Sequence, residues 1–172
     1  MKRKSTTLFC VSALLLALAA ATAVQADELP TRKAGLWEMK MSSAGMPENI
    51  TRQCIDAAFE KEMKGMAASP GGQYKCSKQD IRKTSAGYVM DAVCETMGMT
   101  VTSHTEFTGD FSSAYTMKQT GRVEGKMAGK AGQDTAMTMQ ARWLGACPAG
   151  WKPGDIEIPG GTRINVKDHL PK

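Results

Sequence analysis

The segment Met99-Thr100-Val101-Thr102-Ser103-His104-Thr105-Glu106-Phe107-Thr108 alternates in character along its length. Val101, Ser103, Thr105 and Phe107 fall on one side; Thr102, His104 and Glu106 fall on the other. That period of two is the mark of a half-buried strand. Gly109-Asp110 follows, and Phe111–Thr120 returns as a partner. Gly in the first of two loop positions predicts a type II′ hairpin with its turn at Gly109-Asp110.

The same reading extends outward. Asp134–Leu144 sets Met137, Met139, Ala141 and Trp143 against Thr138, Gln140 and Arg142. Leu36–Ser42 sets Trp37, Met39 and Met41 against Glu38 and Lys40. Tyr74–Lys83 and Tyr88–Thr96 read as two strands joined around Thr84–Gly87, and Ile50–Ile55 as a shorter one. Asp56 is a natural N-cap, and Phe59, Met63 and Met66 then recur with the spacing of one short amphipathic helix. Ser69-Pro70-Gly71-Gly72 ends it. Gly121–Gln133, with glycines among charges, reads as a mobile connection whose start is compatible with a twisted strand. Six or seven strands, with turn signals about every 8–12 residues, predict a mainly β fold. The expected form is an antiparallel meander making a curved sheet or open barrel, with one short helix and two disulfides.

Met1–Ala26 reads as a secretory signal peptide. Lys2, Arg3 and Lys4 form its basic start, Leu8–Val24 is apolar and uncharged, and Val24-Gln25-Ala26 offers a cleavage site after Ala26. A lipid anchor would need a cysteine after the apolar run, whereas Cys10 lies before most of it. Three of the 22 basic residues and none of the 17 acidic ones lie in this leader, so the net charge falls from +5 to +2 on cleavage. That removes the basis for a nucleic-acid footprint. No other apolar run approaches the roughly 20 residues of a spanning helix. The expected organisation is a leader at 1–26, a β domain at 27–147 entered through a loose polar segment, and a Pro/Gly-rich extended tail at 148–172. Within the tail, Ile156-Glu157-Ile158 and Ile164-Asn165-Val166 flank Pro159-Gly160-Gly161 as a small hairpin would.

After cleavage Cys54, Cys76, Cys94 and Cys147 remain. An even count in an exported chain implies two disulfides in one of three connectivities. Neither a C-x-x-C redox motif nor close zinc-type pairs occur. The loop centred near residue 85 makes opposed residues sum to about 170, which sets Cys76 against Cys94 and Lys75 against Glu95. Cys54–Cys147 is then the remaining link. Loop-closure entropy assigns ~3 kcal/mol to the shorter bridge and ~4–5 kcal/mol to the longer.

Three landmarks recur in order: Gly35-Leu36-Trp37-Glu38, Cys54 with an acid-capped helix after it, and Leu144-Gly145-Ala146-Cys147. With Cys76 and Cys94 between them and repeated Met-x-Met, the chain resembles the domain of unknown function 3617 family of exported bacterial proteins. The resemblance spans about Ala34 to Cys147. Trp143 stands where that family often carries a second basic residue beside Arg142. The resemblance implies fold and compartment, and it transfers no catalytic residue.

Candidate chemistry is sparse. His104 sits on the polar side of its strand with no serine selected as a nucleophile, and His169 is in the tail. Glu38, Glu95, Glu106 and Asp110 read as solvated carboxylates. Asn49-Ile50-Thr51 matches a glycosylation acceptor, which in a bacterial export context is chance. Methionine is the oddity: twelve of the 13 remain after cleavage. They include the pairs Met39/Met41, Met97/Met99 and Met137/Met139. Trp37, Met39, Val101, Met137, Met139 and Trp143 are expected to form the core or a ligand-facing surface. Thioethers also suit Cu(I), so the alternative is a soft-metal site from Met97, Met99, Met137, Met139 and His104. The first expectation is a noncatalytic, monomeric, periplasmic module, either binding a small hydrophobic ligand or acting in the envelope, with no cofactor.

Overall fold

The computed structural model describes residues 28–67, 75–125 and 131–169, so the leader lies outside the described residues. Its strands are β1 (Gly35–Ser43), β2 (Asn49–Ile55), β3 (Lys75–Thr84), β4 (Gly87–Thr96), β5 (Met99–Asp110), β6 (Ala114–Gly125), β7 (Gln133–Gly145), β8 (Asp155–Glu157) and β9 (Arg163–Asn165). The helix α1 is Ala57–Ala67. The strands form one open antiparallel sheet in the order β3-β4-β5-β6-β7-β1-β2-β8-β9. The chain meanders from β3 to β7. The first strand then closes against the last long one, with Trp37 opposite Trp143. The described strands number nine because the predicted hairpin in the last 25 residues forms and adds β8 beside β2.

Both disulfides pair as the register argument requires, Cys54–Cys147 and Cys76–Cys94. Lys75 faces Glu95 as expected. A bulge between Cys76 and Lys78 shifts the rest of that ladder by one.

The central hairpin departs from expectation. β5 continues through Gly109-Asp110, and the turn is Phe111-Ser112-Ser113, with Asp110 opposite Ala114. The Asp110 carboxylate accepts from the Ser112 N–H and hydroxyl, each at 2.8 Å, and from the Ser113 hydroxyl at 3.1 Å. This side-chain turn outcompetes the two-residue loop. Gly109 is needed for a different reason: at φ +105° its missing Cβ would stand 2.6 Å from the Ala114 carbonyl oxygen. The three-residue turn also carries the Phe111 ring inward, where it stacks on Tyr115 with centroids 4.6 Å apart.

The core gathers at one end of one sheet face: Trp37, Ile55, Phe59, Phe107, Tyr115 and Ala141. Phe59 comes from α1, which Asp56 caps by accepting the Phe59 N–H at 2.7 Å. Met63 packs against this cluster; the Met66 side chain lies outside the described residues. The entry segment is fastened rather than loose. The Trp37 indole donates to the Lys33 carbonyl at 2.8 Å, and the Trp143 indole donates to that of Ala34 at 3.1 Å. Arg32 grips Glu60 of α1 through Nη2 at 2.5 Å and Nε at 3.1 Å. Burial works most strongly against the Arg32 charge, and the hydrogen bonds and negative charge of Glu60 together with those of Tyr115 outweigh it, so the guanidinium titrates above its ordinary value.

The C-terminal hairpin is held by Asp155, only 8 % exposed. Its carboxylate accepts from the Lys152 N–H at 2.8 Å and the Asn165 amide at 2.7 Å. These donors hold it below the usual carboxylate range, against the opposing effect of burial.

Two outcomes follow. Trp37→Ala is expected to cost ~3–5 kcal/mol, read as a lowered urea midpoint; an unchanged midpoint would contradict the burial. A carboxylate with a lowered folded pKa stabilises above its unfolded pKa, and that stability is lost as pH falls through the folded value, below about 4. Asp155→Ala is therefore expected to cost about 1–3 kcal/mol at neutral pH and less at low pH, where the charge-dependent part is gone, measured by urea unfolding at both.

Candidate ligand-binding face

Directly opposed residues in an antiparallel ladder share a face, so the register maps the core-bearing face row by row. Nearest α1 stand Trp143, Trp37 and Gln53. The next row runs Tyr115, Ala141, Met39, Thr51. Then come Tyr88, Phe107, Met117, Met139, Met41. The row beyond holds Ile81, Met90, Thr105, Gln119, Met137, Ser43. Further out the face turns small and polar, with Gln79, Ala92, Ser103, Gly121 and Thr135.

The face thus changes chemistry along the strands. At the α1 end it is aromatic and sealed. In the middle, Met117, Met137, Met139, Met39 and Met41 lie side by side on three neighbouring strands, with Met90 set apart beyond β5, all six half-buried. Met39, Met90, Met117 and Met139 pack against the core cluster. Met41 and Met137 instead line a cavity of about 480 Å³ with Met46, Pro47 and Pro159. That volume falls within the range of small-molecule sites, and unbranched thioethers adapt to irregular apolar shapes.

The expected surface residues distribute over this face. Trp37 is fully buried; Met39, Met139 and Trp143 are half-buried around the core. Met137 lies in the methionine region, and Val101 lies farther out beside Cys94 and Val123. Sequence reading placed Met41 on the face of Trp37 and Met39 without counting it among the candidate residues, and it missed Met90 and Met117. Met41 was legible from its i+2 relation to Met39. Met117 required the correct register of the β5–β6 hairpin, and Met90 that of the β4–β5 ladder.

The residues of the soft-metal alternative are not brought together. Met97 is 82 % exposed in the β4–β5 turn. Met99 lies six residues along β5 from Thr105, which shares a row with Met137, about 20 Å away. His104 points to the opposite face, where Nδ1 meets Asp91 Oδ1 at 2.7 Å. That Asp91 partner follows from the Met97-Gly98 turn, once the ladder is counted back from it. The His104 bond, with the Arg82 charge behind it, holds Asp91 below the usual carboxylate range. Glu106 is 3.8 Å from His104 Nε2 and Arg82 is 2.5 Å from Asp91. The opposite face carries further ion pairs, with Glu38 between Arg142 and Arg52 at 3.1 and 3.3 Å. Among the described residues no group of three or more His, Cys, Asp or Glu is placed to hold a metal ion.

No helix of the described residues is long and apolar enough to cross a membrane. No curated protein and no solved structure matches the chain. A family model does match, over residues 32–147, which takes in β1 through β7, α1 and all four paired cysteines. The chain therefore belongs to the family described as protein of unknown function (DUF3617).

Proposed function

We propose that this chain is an exported, noncatalytic module of the bacterial envelope that binds a small hydrophobic ligand on its methionine face. The observation that carries the reading is the adjacency of Met117, Met139 and Met41 on three neighbouring strands, continuing into the Met41/Met137 cavity. Such a surface is apolar, deformable and only half-buried. It suits a ligand whose shape is irregular or variable. The two disulfides favour an oxidising compartment. The apolar leader, cleaved after Ala26, favours the periplasm, with residues 27–147 as the functional domain and a monomer as the working form.

The same three thioethers support a second reading, Cu(I) binding, since soft ligands are what that ion prefers. The two readings separate on substitution. Met137→Leu/Met139→Leu keeps apolar volume, so stability should stay within about 1.5 kcal/mol and a fluorescent fatty-acid probe should still bind. Met139→Lys places a charge in the face and should weaken the probe by at least about tenfold. The measurement is a fluorescence titration, paired with anaerobic Cu(I) competition. Copper binding that vanishes in the double leucine variant, with no probe binding by wild type, would replace the ligand reading with the metal one.

A further inference from the structure

The two disulfides sit in opposite surroundings. Cys54 is 1 % exposed, and its partner Cys147 is half-buried. That bridge spans 93 residues and ties β2 to the segment after β7, the strands on either side of β1. Cys76 is exposed and Cys94 half-buried. Their bridge spans only 18 residues, at the start of β3, which is an edge strand of the sheet. Past the bulge that follows it, β3 stays on β4 through seven further pairs, from Lys78 opposite Val93 to Thr84 opposite Gly87. Arg82 also bonds Asp91 at 2.5 Å between the same two strands. The strand therefore has a hold on the sheet apart from the bridge.

We propose that Cys76–Cys94 is a site of reversible thiol–disulfide exchange with a protein dithiol of the C-x-x-C type, and that Cys54–Cys147 is closed to the same chemistry. A partner thiolate attacks Cys76 Sγ, the exposed sulfur. A bond forms between the two, the Cys76–Cys94 bond breaks, and Cys94 Sγ leaves as a thiolate that takes a proton from water. The partner's second thiolate then attacks its own sulfur in the mixed disulfide and releases Cys76 as a thiolate. The bridge gains two electrons, and the partner dithiol loses them. At the other bridge the accessible sulfur is that of Cys147, so the leaving thiolate would be Cys54, at a site closed to solvent. Burial penalises a thiolate and slows its departure. Reduction of Cys76–Cys94 frees residues 75–77 from the sheet and leaves Cys94 and Glu95, at the outer edge of β4, unpaired. The reduced chain is folded, with one end of an edge strand loose. The exchange does not depend on the methionine face.

The test uses the full disulfide-bonded chain, folded and without denaturant. Dithiothreitol is the dithiol probe, and the thiols it frees are alkylated and located by peptide mass spectrometry. Cys76 and Cys94 are expected to be alkylated at least about tenfold faster than Cys54 and Cys147. A C-x-x-C protein whose second motif cysteine is replaced by serine then traps the mixed disulfide, expected on Cys76. Cys76→Ser/Cys94→Ser is expected to fold and to keep Cys54–Cys147, with faster amide hydrogen exchange confined to the start of β3 and the facing end of β4. Equal rates at the two bridges would overturn the proposal, as would reduction of Cys76–Cys94 only at urea concentrations that unfold the chain. The absence of a trapped adduct, or its formation on any cysteine other than Cys76, would do the same. So would failure of the double serine variant to fold, since the bridge would then be part of what holds the sheet together.

Discussion

The ring of Trp37 has no exposed surface, and its indole N–H sits where water cannot reach it. A buried N–H needs an acceptor, and the one available is the carbonyl of Lys33, four residues back. The chain before β1 is thereby folded over the sheet rather than left in solvent. Once there, it places Arg32 against Glu60 and the Leu29 carbonyl within 2.8 Å of Lys64 Nζ, so α1 is tied down as well. Tyr115 packs on the same ring at 5.7 Å, and its phenol is pushed up by burial. One indole thus couples entry segment, helix and sheet.

That sealed end sets the character of what lies beyond it. α1 and the entry segment cover the aromatic rows, and the methionine rows are left half-covered. A sheet face at that boundary faces two demands: enough apolar area to continue the core, and enough compliance to meet something else. Methionine satisfies both better than Leu or Phe because its three rotatable bonds and polarisable sulfur tolerate a change of neighbour. The opposite face meets neither demand. It carries exposed ion pairs such as Arg52–Glu157 at 3.1 Å, which contribute little to stability individually but keep that face wet and single-valued.

Much of the fold was legible because strand alternation is a local property. Trp37/Met39/Met41 and Met137/Met139/Ala141/Trp143 declare their face without knowledge of their partners, and the Cys76–Cys94 register needed only the loop between them. The central turn was not legible in the same way. Gly109 looked like a turn residue, yet its role is close approach of two strands, and the turn is made by Asp110, Ser112 and Ser113 through side-chain bonds. The error moved the apparent register of β6, and with it Met117. The Arg32–Glu60 pair gave no signal at all, since a contact 28 residues apart across a helix leaves no periodic trace. The pairing of β1 with β7 was likewise invisible to any local rule, although both strands were recognised singly.

That last pairing has a consequence for the order in which the molecule can be made. β1 is the first strand to appear, but Ala34 and Trp143, which meet through the indole hydrogen bond, are 109 residues apart. Until β7 arrives, β1 has β2 on one side and an open edge on the other, with Trp37, Met39 and Met41 uncovered. An apolar strand with an unpaired edge is prone to wrong partners, and pairings of such long range form slowly. The hairpins from β3 to β7 face no such wait, since each forms with its immediate neighbour. Assembly of this chain is therefore a race between docking of a preformed meander onto β1 and capture of β1 by something else, and the N-terminal hairpin is the part that stays unprotected longest.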